Sequence, residues 1–182
     1  DIRSFAFSAD LIEVSDILAR EDIEQSIVKI VEAVGFRSTN YGKSLEDFDA
    51  LGMPDLDRKT TVIILGDARG NRNEARVDLM EKIFNRANRV IWLNPEHRAS
   101  WGTGDSDMLR YLPFCHQAST CGTVAHLERI VHDMLRDYHE RTGQYGILAT
   151  ICDAALFGTW WLEGVRWLGE VLARLARTDS LD

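Results

Sequence analysis

Two periods of apolar residues alternate along this chain. Residues 2–8 (I-R-S-F-A-F-S) predict a strand, and residues 11–14 a second short one after a turn at Ala9-Asp10. From residue 22 to 34, Ile23, Ile27, Ile30, Val31 and Val34 recur at helical spacing. Glu21 and Asp22 favour the N-terminal end of that helix, and Gly35 suits its C-terminal cap. A polar loop over residues 37–42 leads into a short helix through Leu45, Phe48 and Leu51, ended by Gly52 and Pro54. Residues 62–65 (V-I-I-L) are an unbroken, largely β-branched apolar run, the pattern of a strand covered on both faces. Leu79, Met80, Ile83, Phe84 and Ala87 then mark a helix over residues 74–88, and residues 90–93 the next buried strand. A short helix over 108–114, a weak strand over 117–121 and a long helix over 123–141 follow, the last stopping at Gly143.

Strand and helix alternating over short connections predict a Rossmann-like, doubly wound and mostly parallel α/β sheet for residues 1–143. Residues 144–182 differ in character and read as a helical C-terminal extension. Trp161, Val165, Leu168, Leu172 and Leu175 step by three and four, while Glu163, Arg166, Glu170 and Arg177 hold the other face. A more uniformly apolar stretch, residues 147–157, precedes that stripe, but Asp153, Glu163 and Arg166 interrupt the pair too early for a membrane span of about 20 apolar residues. Packing on the sheet or on a partner helix is a simpler use of the stripe than a membrane surface.

Composition narrows the classes. The chain has 182 residues, 45% hydrophobic and 27% charged, as in a soluble globular domain. Its formal net charge of -8 argues against nucleic acid or an anionic membrane as the main partner. Three cysteines, Cys115, Cys121 and Cys152, form no disulfide framework and no C-x-x-C clip, which points to a reducing compartment. The chain opens at Asp1 directly in a strand pattern, which suggests a fragment or a processed product.

Candidate chemistry gathers after the central strand. In an open α/β sheet, ligands bind beyond the carboxyl ends of the strands. Gly66 breaks the chain there and delivers Asp67, Arg69 and Asn71 into a loop. Asp67 is therefore the first candidate, although an aspartate after a strand also serves as a turn cap. His126, His132 and His139 lack the four-residue spacing that chelates zinc and read as solvated. Asp105, Ser106 and Asp107 resemble a small acidic cluster, with helix capping before Met108 the simpler account. Trp92 and Trp101 read as packing anchors.

The runs T-T-V-I-I-L-G-D-A-R-G-N, V-I-W-L-N-P-E and W-G-T-G-D-S-D-M-L-R-Y, with the opening F-A-F-S-A-D-L-I-E-V-S-D-I-L, resemble the CoxE-like branch of the von Willebrand factor A (VWA) domains from about residue 2 to residue 141. The resemblance implies a cytoplasmic bacterial interaction module without catalysis, holding a divalent cation, usually Mg²⁺ but also Mn²⁺ or Ca²⁺, at the carboxyl edge. Carried over residue by residue, Thr39 matches the family's metal-site threonine and Asp67 its aspartate, with D-A here where the family often has D-G. No D-x-S-x-S spacing occurs in the chain; in the family it precedes the strand that starts here at Ile2, so either the chain is a truncated piece or this copy has lost its first strand, and loss of that central strand exposes apolar edges on both sides of the gap. Asp10 and Glu96 are further candidates at the same edge, for contact with a partner. The implied partners are a MoxR-type AAA+ ATPase and a metalloenzyme client whose assembly or maturation the pair assists.

Two rival readings stand beside it. One is a Mg²⁺-dependent hydrolase or phosphotransfer enzyme with Asp67 as ligand or nucleophile; no P-loop, G-x-S-x-G or H-E-x-x-H supports it. The other is a metal-free module that binds its partner through the C-terminal amphipathic helix.

Overall fold

The V-I-I-L run lies in strand β3 (Thr61–Leu65), and the sheet grows outward from it. The computed structural model describes residues 3–20, 23–35, 37–143 and 149–153. In chain order the strands are β1 (Ser4–Phe7), β2 (Leu11–Glu13), β3, β4 (Arg89–Asn94), β5 (Gln117–Thr120) and β6 (Ala149–Asp153). The helices are α1 (Ser15–Arg20), α2 (Ile23–Val34), α3 (Tyr41–Leu51), α4 (Val77–Arg86), α5 (Met108–Tyr111) and α6 (Val124–Thr142). The six strands pair in the order β2-β1-β6-β3-β4-β5. Only the β1–β2 pair is antiparallel; every other pair is parallel. The fold is thus mixed α/β.

Burial follows from this topology. Along β3, Val62 to Leu65 are all buried, as are Val90 to Leu93 along β4, because helices cover both faces of a parallel sheet. On β1 the two faces separate cleanly. Phe5 and Phe7 join the core beneath α3 and α4, whereas Ala6 joins Val14, Ile30 and Val34 beneath α1 and α2. An aromatic chain runs through the larger core. Phe7 meets Tyr41 edge-on at 5.0 Å, Tyr41 stacks on Trp92 at 5.8 Å, and Trp92 stacks on Tyr111 at 5.1 Å. Such pairs contribute about 0.5–1.5 kcal/mol each beyond the area they bury.

Two elements differ from the sequence expectation. The first is α1, six residues that were too short to show a helical period. Ser15 starts it, accepting a hydrogen bond from the Ser4 amide at 2.9 Å, and Ile17 and Leu18 pack on the smaller core. The second is β6. Within the expected helical extension over residues 144–182, the described residues Ala149–Asp153 form a strand in the middle of the sheet. Its residues Thr150 to Asp153 pair with Ser4 to Phe7, and Ala149 to Cys152 with Val62 to Leu65. The central position between β1 and β3 is therefore held by residues 149–153. A short, uniformly apolar segment suits either a buried helix or a buried strand, and only its neighbours decide which. The amphipathic stripe from Trp161 to Leu175 lies outside the described residues. No helix among the described residues is long and apolar enough to cross a membrane.

Candidate functional site

The carboxyl ends of the parallel strands open on one edge, and three loops meet there. The first follows β1. Ser8 is buried, its hydroxyl donates to the Val34 carbonyl at 2.8 Å, and its own carbonyl accepts from the Asn40 amide at 2.9 Å. That bond ties the β1 end to the second loop, residues 37–40. Asn40 caps α3, its side-chain oxygen accepting from the Lys43 amide at 3.0 Å. Thr39 sits just before the cap and is buried. The third loop leaves β3 through Gly66 and Asp67, and its Asn71 side chain donates to the Thr39 carbonyl at 2.9 Å. Thr39 and Asp67, singled out by sequence, thus stand on neighbouring loops joined by a direct hydrogen bond.

Tyr41 knits these loops together. Its hydroxyl accepts from the Ala68 amide at 3.1 Å and donates to the Asp67 carboxylate at 3.4 Å. Gly66 makes room for it, since a Cβ there would lie 2.0 Å from the phenol oxygen. Gly42 does the same one residue on, where a Cβ would lie 1.8 Å from the Glu74 carbonyl. Ala68 itself is fully buried with φ 61, in the left-handed region that favours glycine. That backbone demand is the physical reason for a glycine after the aspartate, and this chain meets it with the smallest residue that carries a Cβ.

Asp67 is held by the Arg69 amide, which donates to its Oδ1 at 2.9 Å. Burial pushes its carboxyl group above the usual aspartate range, opposed by the Arg69 amide and reinforced by the nearby charge of Glu96. The Arg69 guanidinium does not pair with Asp67. It makes a bidentate pair with Glu96, at 2.8 and 3.0 Å, and reaches Asp105 at 2.8 Å and the Thr103 carbonyl at 3.2 Å. These hydrogen bonds, that to Glu96 foremost, raise the Arg69 pKa further, and the one from Arg69 holds Asp105 below its ordinary value. Arg69 therefore locks the β3, β4 and 103–107 loops into one surface. Asn94 sits fully buried beneath them, its amide donating to the Asp67 carbonyl at 3.2 Å and its side-chain oxygen accepting from the Glu96 amide at 2.8 Å.

The remaining candidates have defined places. Glu96 is engaged by Arg69, and Asp10 forms an ion pair with Arg37 on the outer side of the β1 loop. Asp105 serves Arg69, Asp107 pairs with Arg110 at 2.9 Å, and the Ser106 hydroxyl accepts from the Met108 amide at 3.4 Å. Trp92 is buried with its indole donating to the Gly66 carbonyl at 2.8 Å, and Trp101 is buried beside Glu96. His126, His132 and His139 lie on exposed positions of α6. Tyr41 and Asn94, which organise the edge, are not among the sequence candidates, and Arg69 is placed in the candidate loop there without a role. The available signals were local: an aromatic inside the Thr39 loop, and an asparagine directly after a buried strand. Asp153 ends β6 at the same edge, in register with Phe7.

As a cation site the edge offers hard oxygen donors, the class Mg²⁺ prefers, from Asp67 and Thr39. Among the described residues no group of three or more His, Cys, Asp and Glu is placed to hold a metal.

Comparison with known proteins places this geometry in a family. A segment of 50 residues, 28% of the chain, is 46% identical to part of the 1,4-alpha-glucan branching enzyme TK1436 of Thermococcus kodakarensis. The chain covers 7% of that protein's length, too little to bring its activity across. No solved structure matches the chain. Residues 1–130 match the profile of the VWA domain containing CoxE-like protein, most of the chain and all of β1 to β5. The chain belongs to the CoxE-like VWA family.

Proposed function

We propose that this chain is a non-enzymatic protein-interaction module whose binding face is the carboxyl edge of the sheet. The observation that supports the reading is the convergence of the Thr39 and Asp67 loops, closed by the Asn71–Thr39 and Tyr41–Asp67 hydrogen bonds. The Asp67 carboxylate is desolvated, and the Arg69 charge that offsets part of this is shared with Glu96 and Asp105, so the site is short of positive charge. A divalent cation bound to Asp67 and Thr39 would supply it, and would accept a carboxylate from a partner protein as a further ligand. Nothing in this role needs a general base or a leaving group. The family membership supports a MoxR-type AAA+ ATPase as partner and a metalloenzyme under assembly as client.

Titration calorimetry with Mg²⁺ and Mn²⁺ on this chain and on Asp67→Ala tests the cation. Saturable binding in the parent that vanishes in the variant is the expected result. The same two proteins are then presented to a purified MoxR-type ATPase with Mg²⁺ or with a chelator. Capture that depends on both Mg²⁺ and Asp67 fits the proposal. Binding of neither ion, or capture indifferent to both, removes it.

A further inference from the structure

The loop that leaves β3 carries four non-glycine residues in the left-handed region: Ala68, Asn71, Arg72 and Arg76, at φ 61, 50, 64 and 47. An L side chain crowds the backbone there, and such residues persist only where the surroundings hold them. Three of the four have visible holders. Ala68 is buried, its amide on the Tyr41 hydroxyl and its carbonyl accepting from the Asp107 amide at 2.8 Å. The Asn71 side chain donates to the Thr39 carbonyl, and Arg76 pairs with Glu46 and Asp78. Arg72 is different: it is exposed, and its side chain has no hydrogen bond or ion pair among the described residues. Asn71 and Arg72 are the central pair of a tight turn, which the Asn73 amide closes on the Gly70 carbonyl at 3.0 Å. Positive φ at both centres is the type I′ geometry, which strongly favours Asn-Gly. The chain keeps the asparagine and places arginine where glycine would cost the backbone least. The turn is also pinned on two sides. Asn71 holds the Thr39 loop, and the Gly70 amide donates to the Asp105 carbonyl at 3.3 Å.

We propose that Arg72 is a partner-reading residue: an acidic peptide segment gives one carboxylate to the cation on Asp67 and Thr39 and a second to the Arg72 guanidinium. This rests on the cation-dependent binding face proposed above and adds the chemistry of the partner to it. The charges of the edge support the assignment. Among the described residues of these loops, the other guanidinium groups are engaged. Arg69 holds Glu96 and Asp105, Arg37 pairs with Asp10, Arg110 pairs with Asp107, and Arg98 lies over the Trp101 ring. Arg72 keeps its whole fork of donors open, the geometry that grips a carboxylate at two points. A backbone cost carried at an exposed position of a binding face points to contact rather than to stability.

The parent, Arg72→Gly, Arg72→Lys and Asp67→Ala decide it in three measurements on the full chain. Scanning calorimetry without cation reads the turn, Mg²⁺ titration reads the cation site, and binding to a purified MoxR-type ATPase at low and high salt reads the partner. Arg72→Gly should raise the melting temperature by roughly 2 °C, because glycine relaxes the left-handed turn. It should leave the Mg²⁺ affinity unchanged and weaken ATPase binding about tenfold at low salt, as for loss of one hydrogen-bonded charge pair. The difference from the parent should shrink at high salt. Arg72→Lys keeps the charge without the fork and should bind between the two. ATPase binding unchanged in Arg72→Gly but lost in Asp67→Ala overturns the Arg72 contact and leaves the cation face standing. A lower melting temperature in Arg72→Gly, or Mg²⁺ affinity lost along with the ATPase, makes the residue structural and overturns the contact as well. A parent that does not bind the ATPase overturns both readings.

Discussion

Replacing Tyr41 with phenylalanine removes one oxygen atom and isolates the brace that joins the Thr39 and Asp67 loops. The ring can stay where it is, edge-on to Phe7 and stacked on Trp92, so the apolar packing is conserved. What is lost is the acceptor for the Ala68 amide, 3.1 Å away at a residue with no exposed surface, and a longer bond to Asp67. A buried donor left without a partner costs about 1–3 kcal/mol. With a urea slope of about 2 kcal/mol/M, within the usual range for small domains, the midpoint should fall by roughly 0.5–1.5 M with no change in slope. Tyr41→Ala removes the ring as well and should cost about 3–5 kcal/mol in all, as for truncation of large core aromatics. The measurement is equilibrium urea unfolding of the parent and both variants, followed by tryptophan fluorescence. A Tyr41→Phe midpoint equal to the parent's would refute the claim that the phenol closes the loop. Equal losses in the two variants would shift the whole effect onto the hydroxyl.

Three further outcomes follow from the same edge and its surroundings. Burial raises the Asp67 pKa, so the folded state holds that proton more tightly than the unfolded chain; the stability it contributes is present below its ordinary value of 3.8 and is lost as pH rises through the folded value. Asp67→Asn should therefore raise the melting temperature of the cation-free protein at neutral pH and abolish any rise on adding Mg²⁺, both read by scanning calorimetry. His116 has the opposite linkage: burial, then Arg89 and Arg58, lower its pKa, and its neutral ring accepts from the Val90 amide at 3.0 Å. Stability should decline as pH falls below about 6.5. His116→Gln should flatten that decline in unfolding curves taken across the interval. Arg69→Met leaves Glu96 and Asp105 without their guanidinium, both about a quarter exposed; it should lower the urea midpoint at low salt, with part of the loss restored at 0.5 M NaCl by screening.

Much of the scaffold was legible because its signals are local. The V-I-I-L run needs only its own residues to announce a doubly covered strand, and the step from Leu65 to Gly66-Asp67 marks the carboxyl edge wherever the neighbouring strands lie. Thr39 and Asp67 became a pair only through the family resemblance; nothing in a spacing of 28 residues says that Asn71 will reach back to the Thr39 carbonyl. The Arg69 lock was hidden for the same reason. Its acids lie 27 and 36 residues away, and a charge on a loop does not reveal its partner. The place of β6 was the least legible of all. Ala149 to Asp153 carry no alternation, and a strand's neighbours are chosen by long-range pairing that no local window contains.

The position of β6 also sets a schedule for synthesis. Strands β1 and β3 leave the ribosome long before Asp153 is polymerised, and neither finds its central neighbour until then. At about 5–20 residues per second, the stretch of roughly 90 residues from β3 to β6 takes about 4–18 s. For that interval two apolar strand edges are held open side by side, braced by α3 but unpaired. Sheets closed by sequence-distant pairing fold slowly and expose such edges to other chains. The nascent chain is therefore most vulnerable to aggregation, and most open to a chaperone that binds extended apolar edges, in the seconds between the emergence of β3 and that of β6.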